Sequence, residues 1–388
     1  MNQLDTILLP EKAVQLAFGL TQCAHSSVVQ KTLDACSVHT VTTLQQANEQ
    51  LYHCYGQAPS HDCSQEYLLL DLDVTGLLAG QQAEQSTKGY FANHQGGSGR
   101  QLCRVIATAY HEILCQALLP GNTLSKATLK PAIRHAVSIL AEVASCHADL
   151  LFRFDAGFGT DQNINWMLTQ NYQILGKMYS HTRVRKLARS VTDWQPTPTS
   201  PGREMGALSH PHRFARRTTQ LAVRTPKKHP EGTWAYGLLV TTLHHLPIEE
   251  LVTLYDGRGG GIESEFRSDR QGLGLATRRK HRMAAQQLLL LLAERAHNLL
   301  VWTRDRLCPP LNQLGMLRQV RDAFQVSGYL LVHHDTIIEI GLNRRHPYAY
   351  ALRDSFNRLL NGTPRITLWE PVECVKEHDM VTLTALDH

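Results

Sequence analysis

Between Tyr255 and Arg270 the chain reads Tyr-Asp-Gly-Arg-Gly-Gly-Gly-Ile-Glu-Ser-Glu-Phe-Arg-Ser-Asp-Arg, a glycine-broken turn followed by a helical pattern. In a helix that begins near Ile262, Glu263, Arg267 and Arg270 fall at i, i+4 and i+7, on one face. A carboxylate backed by two guanidinium groups suits a site where the acid holds a divalent cation and the arginines hold a phosphate backbone. A solvated helix laced with i, i+4 ion pairs would use the same residues. The choice turns on whether the chain delivers further carboxylates to the same place. Two stretches could do so. Tyr67-Leu-Leu-Leu-Asp-Leu-Asp-Val-Thr75 and Asp149-Leu-Leu-Phe-Arg-Phe-Asp155 are short apolar runs that finish in aspartates. Side chains alternate along a strand, so Asp71 and Asp73 share one face and Leu72 takes the other. An aspartate at a strand end can also simply cap the next turn. Brought together, however, two such carboxylates could share one divalent ion, or two ions about 3.5–4 Å apart.

The elements that must position these groups follow from periodicity and breakers. Both aspartate-bearing runs read as buried strands. Between them, Leu129, Ile133, Val137, Leu140 and Val143 recur at helical spacing in a long helix over Ser125–Cys146. Strands joined through such a helix can lie in one mixed sheet and bring their terminal aspartates to one rim. Leu102–Ala109 reads as a returning strand, and Gly96-Gly-Ser-Gly-Arg100 as a hairpin turn, since it lacks the Lys-Ser/Thr ending of a phosphate loop. A helix is expected from Asp161, with strands over Tyr172–Met178 and Tyr236–Leu243. A further helix starts at Pro247, and a leucine-rich, buried one spans Ala284–Trp302. The division expected is a helical region at 1–64, a first core segment at 65–185 and a basic insertion at 186–234. A second core segment covers 235–308, and a small α+β region covers 309–388.

With 388 residues, 43% of them hydrophobic, the chain can bury a sizeable core. Its formal net charge is only +5, but from Lys177 to Lys228 twelve Lys and Arg face only Asp193 and Glu204. A basic stretch in an otherwise acidic chain points to a polyanionic partner contacted by one region. Trp194, Trp234 and Tyr236 could stack on bases there or serve as core aromatics. Residues 1–64 could form a helix-turn-helix reader, although Lys12 and Lys31 face five acidic residues, which suits a packing or dimerising cap equally. The nine cysteines form no CxxC pair and no Cys/His block at zinc spacing, as expected of reduced thiols. No targeting signal or membrane span is evident, so a soluble cytoplasmic protein is expected.

The order strand-Asp, strand-Asp, basic insertion, helix-Glu with arginines resembles the DDE transposases of bacterial insertion sequences. The closest branch carries its glutamate in a tyrosine–arginine–glutamate–lysine signature. The resemblance covers about Tyr67 to Arg304. Its carriers are Asp71-Leu-Asp-Val-Thr75, Lys88-Gly-Tyr90, Arg153-Phe-Asp-Ala-Gly157 and Tyr255-Asp-Gly-Arg258 with Glu263. It implies an α/β fold, a ribonuclease-H-like mixed sheet flanked by helices. An insertion would precede the last catalytic helix, and a helical region would precede the sheet.

Carried over, the first aspartate is Asp73, with Asp71 as the alternative, and the second is Asp155. The glutamate is Glu263, because a basic residue, Arg270, follows seven positions later; Glu265 is the alternative. Tyr255 and Arg258 match the start of the signature. Two departures stand out. Arg270 replaces the usual lysine, and four residues rather than three separate Arg258 from Glu263. The resemblance further implies that Asp73, Asp155 and Glu263 hold Mg²⁺, with Mn²⁺ able to substitute. Double-stranded DNA would be cut at terminal inverted repeats and joined to a target by an assembly of copies, in a bacterial cytoplasm. Tyr255, Arg258, Arg267, Arg270, Arg216 and Arg217 would position the DNA backbone, with Lys88 and Tyr90 as further near-site contacts. The rival readings are a catalytically silent relative that still binds DNA, another metal-dependent nuclease on the same core, and a carboxylate-pair sugar hydrolase. The last gains nothing from the basic stretch.

Overall fold

The computed structural model describes residues 4–371 apart from 12–14, 16–17, 92–93, 95, 142–148, 228–232, 278, 335 and 361. The end of the Ser125–Cys146 helix, part of the N-terminal segment, Lys228 and Arg278 therefore lie outside the described residues. Eight strands carry the large sheet: β1 (Leu68–Leu78), β2 (Ser98–Ala107), β3 (Glu112–Pro120), β4 (Leu150–Phe154), β5 (Gln173–Lys177), β6 (Glu204–Ala207), β7 (Thr219–Pro226) and β8 (Trp234–Thr241). Two two-residue strands, Thr87–Lys88 and Gln195–Pro196, lie at its margins. β1, β2 and β3 form an antiparallel meander. β1 then pairs parallel with β4, and β4 parallel with β5. Beyond β5 the sheet turns antiparallel again through β8, β7 and β6.

The two central strands are buried on both faces. Leu68, Leu70, Leu72, Leu150, Phe152 and Phe154 share one face and are all fully buried or nearly so, while the other face carries Leu151 and the buried Asp71 and Arg153. The helices are α1 (Ser26–Ala35), α2 (Val38–Tyr55), α3 (Ser125–Leu140), α4 (Asp161–Thr169), α5 (His181–Ala188), α6 (Ile248–Asp256), α7 (Ile262–Gly272) and α8 (Met283–Trp302), of which α3 to α8 pack on the sheet. α3 packs on β2 and β3, α6 on β5 and β6, and α7 on β1. One core cluster joins Leu251, Val252 and Tyr255 of α6 to Leu151, Leu175, Leu221 and Leu239 of the sheet. Another joins Ile262 and Phe266 of α7 to Leu102, Ile106 and Ile113. The result is the mixed sheet flanked by helices that the sequence calls for. Ser37 caps α2 with a capping box to Thr40.

α2 lies against α8, through Val41, Ala284, Ala285, Leu288 and Leu291. Glu112 anchors its C-terminal end, accepting from Tyr52 Oη at 2.9 Å, Gln57 N at 2.7 Å and Ala58 N at 3.2 Å, while also accepting from Trp302 Nε1 at 2.8 Å. A fully buried carboxylate with this many donors is satisfied. No described helix is long and apolar enough to cross a membrane.

The chain divides into two compact units, Ser27–Trp302 and a second made of Met1–Ser26 with Thr303–His388. The second unit holds β9 (Gly328–His333), β10 (Thr336–Asn343), α9 (Ala349–Leu359) and β11 (Arg365–Trp369). β9 and β10 form an antiparallel hairpin, and β11 adds parallel to β10. Leu311, Leu314, Ala323 and Leu352 make its small core.

Candidate active site at the sheet rim

Parallel pairing sets Leu72 opposite Phe154, so Asp73 and Asp155 follow at the same level on one rim of the sheet. Asp73 Oδ1 accepts from Val74 N at 2.7 Å, and its Oδ2 stands 3.2 Å from Arg258 Nη2. Burial pushes the Asp73 carboxyl up to about 6; the charges of Asp155 and Glu263 push the same way, against the attraction of Arg258. Asp155 Oδ1 accepts from Gly157 N at 2.9 Å, in a turn where a Cβ at 157 would lie 3.1 Å from both that oxygen and Ser125 Cβ. Glu263 opens α7 with its side chain 54% exposed, and its Oε1 stands 3.4 Å from Arg258 Nη1. Two of the three carboxylates singled out in the sequence, Asp73 and Glu263, thus meet one arginine, and Asp155 stands beside Asp73 at the same strand level.

Arg258 is the hub. It is 4% exposed, and its Nη2 donates to Leu72 O at 2.9 Å as well as meeting Asp73. The extra residue before Glu263 is absorbed locally. Gly257–Gly259 form a 3₁₀ turn, and Gly261 N donates to both Gly257 O and Arg258 O at 3.1 Å. A Cβ at Gly261 would lie 2.7 Å from Asp71 Oδ2 and 2.9 Å from Thr108 Cγ2, so this position has no room for a larger residue. Tyr255 is buried below, with its hydroxyl donating to Phe154 O at 3.4 Å and the ammonium of Lys177 5.0 Å from its ring centre. Burial raises its phenol well above the usual value.

The alternatives are engaged elsewhere. Asp71 is fully buried and accepts from Arg153 Nε at 2.6 Å and Nη2 at 2.7 Å, while Arg153 Nη1 donates to Leu254 O. That pair ties β1 and β4 to α6. Glu265 turns to His111, at 2.8 Å, and lies 3.8 Å from His297. One turn on, Asp269 meets Arg104 and His297, each at 2.7 Å and each fully buried. Burial opposes the ionised Asp269, but His297 and Arg104 outweigh it and hold the carboxyl at about 2.

Of the expected DNA contacts, Arg270 is exposed and donates to Thr75 Oγ1, two residues past Asp73 on β1. It borders a groove of about 630 Å³ that Lys88 and Tyr90 also line. Arg267 is exposed on the same helix. Arg216 and Arg217 are exposed too, but Arg216 donates to Asn171, before the N-terminal end of β5. The carboxylates cluster at the opposite, C-terminal strand ends. Sequence reasoning did not assign a part to Arg153 or Lys177. An arginine in the middle of an apolar strand signals a buried partner. Lys177 was hidden in the count of the basic stretch. The link from Asp256 to Arg203 Nη1, at 2.6 Å, and to Thr199 Oγ1 was likewise unforeseen.

Three carboxylates, one with its pKa raised by burial and, less strongly, by its like-charged neighbours, make a donor set that suits a hard divalent cation. Among the described residues no group of three or more His, Cys, Asp or Glu lies close enough to hold a metal ion as it stands. The Arg258 guanidinium holds the ground between Asp73 and Glu263, and its buried Nε has no partner among the described residues. The exposed Glu263 side chain is the one with freedom to adjust.

A family model described as transposase DDE domain, group 1, matches residues 2–363. Among solved structures, the chain is similar to the piggyBac transposase in a synaptic complex with hairpin DNA, at 12% identity and a TM-score of 0.45. The match covers 66% of this chain and 52% of that one, so this protein spans about half the length of that transposase. No curated protein matches the chain.

Proposed function

From the premise that this chain belongs to the group 1 DDE-domain transposase family, we propose that it is the transposase of a bacterial insertion sequence. It cuts phosphodiester bonds at terminal inverted repeats and transfers the freed strands to target DNA. The observation that carries this reading is that Asp73 and Asp155 leave adjacent parallel strands at one level of the sheet rim, where Arg258 meets both Asp73 and Glu263. Asp73, Asp155 and Glu263 would hold the divalent cation, Mg²⁺ with Mn²⁺ as a substitute. When bound, such an ion polarises a phosphoryl oxygen and makes water or a 3′-hydroxyl a better nucleophile.

The protein's own residues then position the strand. Arg258 neutralises Asp73 from a fixed, buried site and keeps the carboxylates from repelling one another apart. Arg270 and Arg267 offer guanidinium groups to phosphates along the exposed face of α7, with Lys88 and Tyr90 across the groove. Arg216 and Arg217 serve duplex farther from the cut. No serine or tyrosine nucleophile is needed, and Tyr255, buried with a raised pKa, is unsuited to that part. Two element ends must be brought together, so the working form is an assembly of copies on DNA. The reading of a silent relative rested on the extra glycine; the turn that absorbs it, with Arg258 facing both carboxylates, favours an active enzyme.

The test is excision from a plasmid that carries the gene with its native flanking DNA. The natural protein is expected to excise and Asp155→Asn is not, while both bind the flanks. Excision by both, or by neither with binding intact, would refute the active-enzyme reading.

A further inference from the structure

β5 ends at Lys177, and its parallel pairing with β4 sets Gly176 opposite Phe154, so Lys177 leaves the sheet level with Asp155. Its backbone is clamped on both sides. Met178 N donates to Leu238 O at 2.9 Å on one side. On the other, the Asp155–Gly159 turn packs so closely that a Cβ at Gly159 would lie 1.7 Å from Lys177 O, and Tyr179 N donates to Gly159 O at 2.9 Å. The side chain runs past Gly237 on β8, where a Cβ would sit 3.5 Å from Lys177 Cε, and ends over the ring of Tyr255. A lysine held this firmly presents its charge at one place.

That charge has no anion of its own. Among the described residues the half-buried ammonium makes no hydrogen bond or ion pair; its one close partner is the Tyr255 ring, at 5.0 Å. Of the acids around it, Asp256 is bound by Arg203 and Thr199 and Asp73 by Arg258, while Asp155 accepts from Gly157 N and makes no ion pair with Lys177 among the described residues. Burial, then the nearby Arg203 and Arg258, work against its charged form, and Asp256 and Asp155 favour it. A partly desolvated cation without a partner is costly unless an anion arrives to complete it. The anion that arrives beside Asp155, on the proposed function, is a DNA phosphate.

We propose that Lys177 is a further catalytic residue, its ammonium contacting a non-bridging oxygen of the phosphate being cut, opposite the Arg258 side of the site. It acts as a fixed point charge that follows the charge developing on the phosphoryl oxygens. This rests on the reading of Asp73, Asp155 and Glu263 as the reacting centre. The plain alternative is a packing lysine whose methylene stem covers Tyr255 and whose head reaches solvent.

Lys177→Met separates the two, because methionine keeps the stem and loses only the charge. The probe is a duplex of the gene's native flanking sequence, cut under single-turnover conditions at saturating protein. The rate with Lys177→Met is expected to fall roughly 10²-fold, with the dissociation constant changing only a few-fold and the melting temperature unchanged or raised. Lys177→Arg is expected to recover much of the rate. Should the Met variant fold poorly, Lys177→Gln gives the same comparison with a polar, uncharged side chain. A neutral variant that folds and cuts at the natural rate overturns the proposal. Asp155→Asn is run beside it: if that variant cuts normally, the site itself is misread and the proposal falls with it. If Asp155→Asn is inert while Lys177→Met is fully active, the site stands and Lys177 alone is wrongly assigned.

Discussion

Two aspartates two residues apart on one strand face have opposite fates. Asp71 lies one pleat deeper, fully buried, and both its oxygens are taken by Arg153. Asp73 reaches the rim, where a mobile charge could join it. Its raised pKa makes a stability statement about the metal-free protein. A carboxyl that stands at about 6 folded against 3.8 unfolded binds its proton more tightly in the native state. The stability it contributes is present at low pH and is lost as pH rises from 3.8 through about 6, by at most about 3 kcal/mol for a shift of this size. Asp73→Asn removes that penalty. In chelator at pH 7.5 the variant is expected to melt higher than the natural protein, and added Mg²⁺ to raise the natural protein only; a lower melting temperature in chelator would contradict the assignment. Alternation puts both aspartates on one face and so cannot rank them; only the family resemblance put Asp73 first and Asp71 second. What separates them is a partner 82 residues away, Arg153, whose own side chain also caps Leu254 O.

At the scale of elements, α7 is held from behind and exposed in front. Arg104 of β2 and His297 of α8 grip Asp269, while Glu263, Arg267 and Arg270 face outward. Removing one partner of such a buried set leaves an unpaired charge, so Asp269→Asn is expected to cost about 3–5 kcal/mol in urea unfolding. The Asp269 contribution is present above pH 3.8 and is lost as pH falls through about 2, the reverse of Asp73. The turn before α7 gives a sharper contrast. Gly261→Ala drives a Cβ against Asp71 and Thr108 and is expected to destabilise by about 1–3 kcal/mol. At Gly259 nothing lies within 4 Å of the added atom, so Gly259→Ala is expected to be neutral or stabilising by a few tenths of a kcal/mol. Equal effects of the two changes would sink this account of the extra residue.

Most elements were legible because their periods were clean: β1, β4, α3 and α8 lie where apolar runs and helical spacing place them. β6 and β7 were not. They sit in a stretch dominated by Pro, Gly and Arg, where charge obscures the short alternation of Gln-Leu-Ala-Val-Arg, and their pairing with β8 is a long-range event.

For the whole molecule, the basic stretch does not form one patch around the site. Arg203 is turned inward to Asp256, Arg224 pairs with Glu204 between the rings of Trp194 and Trp234, and Arg216 and Arg217 remain exposed. On the proposed function the exposed members are the ones placed to take phosphates, Arg216 by giving up its bond to Asn171. Arg216→Ala with Arg217→Ala is therefore expected to lower the slope of log Kd against log salt by about 2. Arg224→Ala is expected to act through folding rather than through the salt slope. The charge excess was legible in the sequence, but its division into paired and unpaired arginines depends on the sheet that places Glu204 beside Arg224 and Asp256 beside Arg203.

On the proposed function Glu263, rather than its neighbour Glu265, completes the carboxylate set with Asp73 and Asp155. The most direct measurement is the single-turnover cutting rate of the native flanking duplex by Glu263→Gln against Glu265→Gln, in Mg²⁺. A loss of roughly 10²-fold or more is expected for Glu263→Gln. Glu265→Gln, which loosens contacts to His111 and His297, is expected to stay within about tenfold of the natural rate. A nearly normal rate for Glu263→Gln with an inert, folded Glu265→Gln would contradict the account and place the catalytic face of α7 on its other side.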